Sequence, residues 1–288
     1  MSASETLHSF VNRWECDEVD HLNVQFYFAR FEEADRQFRQ ITGLSEALIG
    51  ARRVRHLRFH HELRSGDLLS IRTGIAFDGP HMLTVLHEMV NRETGEVCTT
   101  AIDGYDPQPT AVKTLRSRYK DHREDMPDHA APRGLSATPV QTRVTLDELK
   151  KSGTRETFRG TVLPRHLSID GRVDDAYAVG CFSEASPHIW QATSLTAARL
   201  NEINAGRVVL EMKLTWISPL KSGDMVVAES GLTQVQANTF NVRHHLFESR
   251  TNRLAAICDV VAVMLDKTTR KVVPLDELTR REMTNLIT

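Results

Sequence analysis

Phe59-His60-His61-Glu62-Leu63-Arg64-Ser65-Gly66-Asp67-Leu68 has a counterpart later in the chain, Trp216-Ile217-Ser218-Pro219-Leu220-Lys221-Ser222-Gly223-Asp224-Met225. An aromatic residue, a Leu, a basic residue and Ser-Gly-Asp recur in register, and Gly223 lies 157 residues after Gly66. Each stretch reads as strand, tight turn, strand, because Gly supplies the unusual backbone angle and Asp bonds its own backbone. A second match lies upstream, Phe31-Glu32-Glu33-Ala34 against Phe182-Ser183-Glu184-Ala185, at a separation of 151. Two matches in one order indicate a duplication. The separations differ by 157 − 151 = 6, which places six extra residues in the second copy's helix or the loop after it. A unit present only twice is a fused pair, not a solenoid.

Each copy then reads alike. A short strand comes first (Ser9 to Glu15; Thr157 to Leu163), then a loop, then an apolar-faced helix. In the first copy Phe28, Phe31, Ala34, Phe38 and Ile41 recur at helical spacing, with Glu32, Glu33, Arg36 and Arg39 between them. Four strands follow: Arg53 to Leu63, Leu68 to Phe77, Met82 to Asn91 and Val97 to Tyr105. Their counterparts are Arg207 to Ser218, Met225 to Gln236, Thr239 to Ser249 and Leu254 to Leu265. The fold class is therefore α+β, a long helix packed on an antiparallel sheet in each of two units. The expected division is a first unit over 1–106, a connecting segment over 107–156, rich in Pro and charge and carrying a helix at Thr145 to Ser152, and a second unit over 157–288.

The chain has 288 residues, with 36 Lys and Arg against 38 Asp and Glu, a formal net charge of −2. That balance argues against a general nucleic-acid binder. No apolar run approaches the roughly 20 residues of a membrane span, and the N-terminal residues lack the pattern of a signal peptide. Cys16, Cys98, Cys181 and Cys258 are scattered and fit no paired spacing, in keeping with free thiols and a cytoplasmic location. The 13 histidines form no HExxH or comparable ligand pattern, so no metal is expected. No Gly-rich phosphate loop or Gly-x-Ser-x-Gly elbow is present.

The densest group of chemical side chains is the loop entering the first helix, Trp14-Glu15-Cys16-Asp17-Glu18-Val19-Asp20-His21-Leu22-Asn23-Val24. Free N–H groups at a helix start can stabilise a developing oxyanion. A carboxylate a few residues upstream could attack a carbonyl held there or activate water against it. The plainer alternative is that Asp17, Asp20 and Asn23 only cap the helix.

His21-Leu22-Asn23, Tyr27 and Phe31-Glu32-Glu33-Ala34 at their spacings, together with the two Ser-Gly-Asp stretches, resemble the 4-hydroxybenzoyl-CoA thioesterase-like group of the hotdog fold. The resemblance implies two fused hotdog units and hydrolysis of an acyl-CoA thioester to free acid and CoA. Asp17, four before His21, falls at the family's catalytic aspartate, nucleophile or general base. Val24 falls at the backbone N–H donor to the thioester carbonyl, while His21 and Asn23 match the motif and shape the loop. Tyr27 and Glu32 fall at motif positions near the substrate, Glu32 close to where a related branch carries its carboxylate. Asp20 stands where the family has glycine, and Glu62 where it has proline; the second copy keeps Gly171 and Pro219. At the separation of 151, Ser168 replaces Asp17, Arg172 replaces His21 and Asp174 replaces Asn23, so the second loop is degenerate.

The expected site is therefore one per chain, completed by Glu184 or His188 from the second helix, with Arg58 among the basic residues available to CoA phosphates. Asp17 is expected to be ionised, favoured by the nearby helix start. No cofactor is implied, since CoA is part of the substrate. The thioester carrier is CoA or an acyl-carrier protein, and pairing of double units into a homo-oligomer is in keeping with the fold. Two other classes remain: a hotdog lyase acting on an enoyl or hydroxyacyl thioester, and a non-catalytic acyl-thioester binder.

Overall fold

The computed structural model describes residues 3–288, which divide between Pro139 and Val140 into two compact units. The first contains β1 (Ser4–Phe10), α1 (Val24–Thr42), α2 (Glu46–Ile49), β2 (Val54–Phe59), β3 (Leu68–Ala76), β4 (Leu83–Asn91), β5 (Val97–Tyr105), α3 (Pro109–Arg118) and the short β6 (Arg123–Glu124). Its antiparallel sheet runs β1-β3-β4-β5-β2, with β6 added in parallel on β3. The second contains α4 (Leu146–Ser152), β7 (Arg155–Thr161), α5 (Asp175–Trp190), α6 (Ala197–Glu202), β8 (Ala205–Trp216), β9 (Met225–Val235), β10 (Thr239–Glu248), β11 (Arg253–Asp266), β12 (Val272–Val273) and α7 (Glu277–Thr284). Its order is β7-β9-β10-β11-β8, with β12 on β11. Both units are hotdog-like: a central helix lies against an antiparallel sheet of the same connectivity.

The helix forms where the sequence places it because its ends are specified. Asn23 Oδ1 accepts the N–H of Gln25 at 3.1 Å. Gly43 stops the helix in the left-handed region at φ 67, its N–H returning to the Arg39 carbonyl. The apolar stripe buries Phe28, Phe31 and Phe38 completely, about 2 kcal/mol apiece in area terms. Ile41, expected on that stripe, is exposed, since it lies in the last turn before the Gly43 stop.

The duplication is visible in the hydrogen bonds. In the first turn Arg64 N–H donates to Asp67 Oδ2 at 2.8 Å, and Gly66 sits at φ 99. In the second, Lys221 N–H donates to Asp224 Oδ2 at 2.9 Å, and Gly223 sits at φ 89. The first strand of each unit carries a bulge at the same place, between Glu5 and Leu7 and between Glu156 and Phe158. The extra residues fall after the second helix: α5 ends at Trp190, soon after Pro187, and β8 begins well ahead of the β2 equivalent.

Two expectations need correction. The first strand lies at Ser4–Phe10, not Ser9 to Glu15. Residues 13–15 instead form a single tight turn, because Glu15 Oε2 accepts both the N–H of Asn12 at 2.8 Å and its Nδ2 at 3.1 Å. The segment read as a connection over 107–156 contains the division point and is packed on both sides of it. Leu115 and Tyr119 enter the first unit's core beside Phe38, Ile75 and Tyr105. Leu146 and Leu149 of α4 cover Val227, Phe247 and Ile257 in the second.

Candidate functional site

The loop before α1 is tied at several points. Asn23 N–H donates to the Glu15 carbonyl at 2.8 Å and Leu22 N–H to the Leu63 carbonyl at 2.8 Å. Glu15 in turn holds Arg30 of α1 at 2.7 Å, and the same guanidinium donates to the Phe10 carbonyl at 2.8 Å. Strand, loop and helix are thereby fixed to one another by a buried ion pair.

Within this frame Asp17 is bound through one oxygen. Its Oδ1 accepts the N–H of Val19 at 2.9 Å and of His21 at 3.1 Å, and its own N–H donates to the His21 carbonyl at 2.8 Å. Its Oδ2 has no hydrogen-bond partner among the described residues. The arrangement orients a carboxylate while leaving one oxygen's lone pairs available. Burial raises the Asp17 carboxyl above its ordinary 3.8, opposed by the N–H groups of His21 and Val19. The sequence reading expected the helix start to favour the charged form; desolvation is the larger effect here, and it makes the carboxylate more basic.

Val24 is the first residue of α1, so its N–H is among the first-turn donors without an intrahelical acceptor. His21 is buried, its Nε2 2.9 Å from Glu62 Oε2. Asn23 is the helix cap. Tyr27 is buried edge-to-face on Phe59, ring centroids 5.1 Å apart. Asp17, His21, Asn23, Val24 and Tyr27 therefore occupy one corner of the first unit. Glu32 is 3.5 Å from Arg36 on the same helix, and Glu33 is held by Arg36 at 2.6 Å, which draws its pKa down. Arg58 Nη1 donates to the carbonyls of His129 and Ala131 at 2.8 and 2.9 Å, so its guanidinium anchors a backbone segment. Glu184 and His188 are exposed on α5.

The second unit's loop repeats the backbone without the carboxylate. Ser168 N–H donates to the Arg172 carbonyl at 2.7 Å and Asp174 N–H to the His166 carbonyl at 3.0 Å, each 151 residues after its equivalent. Asp174 caps α5 through Tyr177 N–H at 2.7 Å. Ser168 thus stands at the Asp17 position, and Asp170 spends Oδ1 on the Arg172 N–H at 3.1 Å.

A second polar group lies within the first unit, away from the helix-entry loop motif. In the first unit Thr6, Thr73 and His87 form a buried chain, with oxygen–oxygen 2.8 Å and Thr73 Oγ1 to His87 Nδ1 2.9 Å. It continues to Asp103, which Arg55 grips in a fork at 2.7 and 2.6 Å. Burial pushes the Asp103 carboxyl up, but Arg55, Arg52 and the bonds from Arg55 and His87 outweigh it and hold it well below the usual range. The second unit repeats only the chain, Thr157–Ser230–His244 at 2.6 and 2.7 Å, with Met212 and Val260 at the Arg55 and Asp103 positions. The repeat separation of 157 between His87 and His244 was the available signal. Asp35, His87 and Asp103 are spaced closely enough to hold a cation. Their acceptor oxygens are already engaged, by Arg39 and Tyr105 at Asp35 and by Arg55 at Asp103. This donor set suits a structural ion-pair network better than a metal.

Residues 162–282 match the family model described as the thioesterase-like superfamily, within the second unit. No curated protein sequence matches the chain. Three solved structures span both units. A protein of Lactobacillus plantarum assigned as an oleoyl thioesterase superposes with TM-score 0.62 at 12% identity, over 91% of this chain and 96% of that one. The 12:0-ACP thioesterase of Umbellularia californica gives 0.58 at 10%, over 89% and 92%. An acyl-ACP thioesterase of Bacteroides thetaiotaomicron gives 0.56 at 12%, over 89% and 96%. At these identities the likeness establishes the fold. No helix among the described residues is long and apolar enough to cross a membrane.

Proposed function

We propose that the chain hydrolyses an acyl thioester to the free acid and the carrier thiol, with Asp17 as the catalytic carboxylate. The observation that carries this reading is the state of Asp17: Oδ1 is fixed by two backbone N–H groups, and Oδ2 has no hydrogen-bond partner among the described residues, a few residues before a helix start. The carbonyl oxygen is received by the first-turn N–H of Val24, where the partial positive charge of the helix meets the forming oxyanion. Asp17 Oδ2 either takes a proton from the attacking water or attacks the carbonyl itself. In the first case the tetrahedral intermediate expels the thiolate, which recovers the proton. In the second the thiolate leaves first, and water then cleaves the acyl-aspartate anhydride. Its raised pKa makes Asp17 the stronger base. No metal or further cofactor takes part.

The acyl group is carried by CoA. An acyl-carrier protein is the second reading, favoured because two double-unit structures of the same fold are acyl-ACP thioesterases. Free-thiol release from parallel panels of acyl-CoA and acyl-carrier-protein thioesters, by wild type and Asp17→Asn, tests both. Turnover that falls at least about a hundredfold in the variant supports the assignment; turnover that survives removes Asp17 from it, and no release from either panel removes the reaction.

A further inference from the structure

The two units differ together at two positions that meet in the first. His21 and Glu62 stand where the second unit has Arg172 and Pro219. Glu62 is the one place where the first Ser-Gly-Asp stretch abandons the proline of its counterpart. In the structure its Oε2 lies 2.9 Å from His21 Nε2, with His21 only 6% exposed. A carboxylate only accepts, so Nε2 must carry a proton.

His21 is in turn joined to Asp17 by its backbone on both sides. Its N–H binds Asp17 Oδ1 at 3.1 Å, and its carbonyl accepts the Asp17 N–H at 2.8 Å. Glu62 lies between β2 and β3, next to Leu63, whose carbonyl receives the Leu22 N–H. The side-chain bond and the backbone bond together fasten the Asp17 loop to the strand connection from two directions. We propose that Glu62 is a positioning residue of the Asp17 site, holding His21 as an Nε2–H donor and, through the His21 backbone, setting the orientation of the Asp17 carboxylate. This rests on the thioesterase reading for its consequence in catalysis, but not for its geometry. The proline at this position in the second unit has no side-chain acceptor, and Arg172 stands 3.8 Å from Asp170 of its own loop, so that loop keeps its backbone without a carboxylate–imidazole pair.

The test has two arms. Nitrogen-15 correlation spectra of the His21 ring in the full-length protein report which ring nitrogen is protonated, with or without turnover. We expect an Nε2–H pattern in wild type and Glu62→Gln, and a changed pattern in Glu62→Ala under conditions where its unfolding curve shows it fully folded. In thiol release, Glu62→Ala is expected to lower kcat about tenfold or more with KM within about twofold, because a small misplacement of a reacting group is costly, and Glu62→Gln to recover most of it. An unchanged His21 pattern in Glu62→Ala overturns the proposal. So does an unchanged kcat beside measurable wild-type turnover. A wild type that releases no thiol while the His21 pattern depends on Glu62 overturns the thioesterase reading and leaves the latch standing.

Discussion

Asp20 and Gly171 occupy the same left-handed backbone position, at φ 61 and φ 77, in two loops 151 residues apart. The turn requires that conformation in both units, and the first unit meets it with an aspartate, one of the few residue types that tolerate it. The side chain has a surface ion pair to Arg13 at 3.0 Å, where both groups are largely exposed and screening leaves little net gain. Asp20→Gly should therefore be neutral or stabilising by up to about 1 kcal/mol, and Asp20→Val destabilising by about 1–2 kcal/mol. Urea denaturation midpoints at constant m-value decide this.

Asp17 is held at a cost in stability. Its folded pKa is raised above 3.8 by burial. The associated stability is present below the unfolded pKa and lost as pH rises through the folded one. Asp17→Asn keeps an acceptor for Val19 and His21 and removes the desolvated charge. The variant should be at least as stable as wild type at pH 7, with the difference shrinking as pH falls toward 4. Turnover in wild type should fall in the acid limb with the protonation of the same group. Unfolding curves across pH and a pH–rate profile check the pair of expectations.

Removing Asp103 alone strands Arg55 in the core of the first unit. Asp103→Val should cost about 3–5 kcal/mol, and adding Arg55→Met, which installs the second unit's pair, should recover most of that. Because the Asp103 pKa is depressed, its contribution is present above the unfolded carboxylate range and lost as pH falls through the folded value. Wild type should consequently lose stability to acid more steeply than the double variant. Thermal melts at neutral and acid pH separate the cases.

Asn23→Ala should cost about 1 kcal/mol by removing the cap on Gln25 N–H. Asn23→Asp should stay within about 0.5 kcal/mol, because Asp174 does the same work for α5. Chemical denaturation of both variants provides the comparison.

Much of the fold was legible because the duplication lets each copy check the other. Ser-Gly-Asp marked both turns, and the Phe31 and Phe182 segments fell on the two central helices. The expected first strands, Ser9 to Glu15 and Thr157 to Leu163, are out of register at the repeat separation of 151, and the first is misplaced; shifting β7 back by 151 residues gives Ser4–Phe10. The local bond from Glu15 to Asn12 bends a segment whose composition alone looks extended.

The candidate site was legible in kind and not in arrangement. A local spacing such as Asp17 to His21 to Val24 is nearly a geometry in itself, because a tight turn and a helix start leave few backbone choices. The sequence therefore determined the two-unit plan, the two Ser-Gly-Asp turns and the capped helix beside the carboxylate. Tertiary structure alone decided what lies across from them. Glu62 meets His21 over 41 positions of chain, Arg55 meets Asp103 over 48, and Arg58 closes on the backbone at His129 and Ala131. Such pairings are set by strand register and side-chain direction on the sheet, which no local pattern encodes.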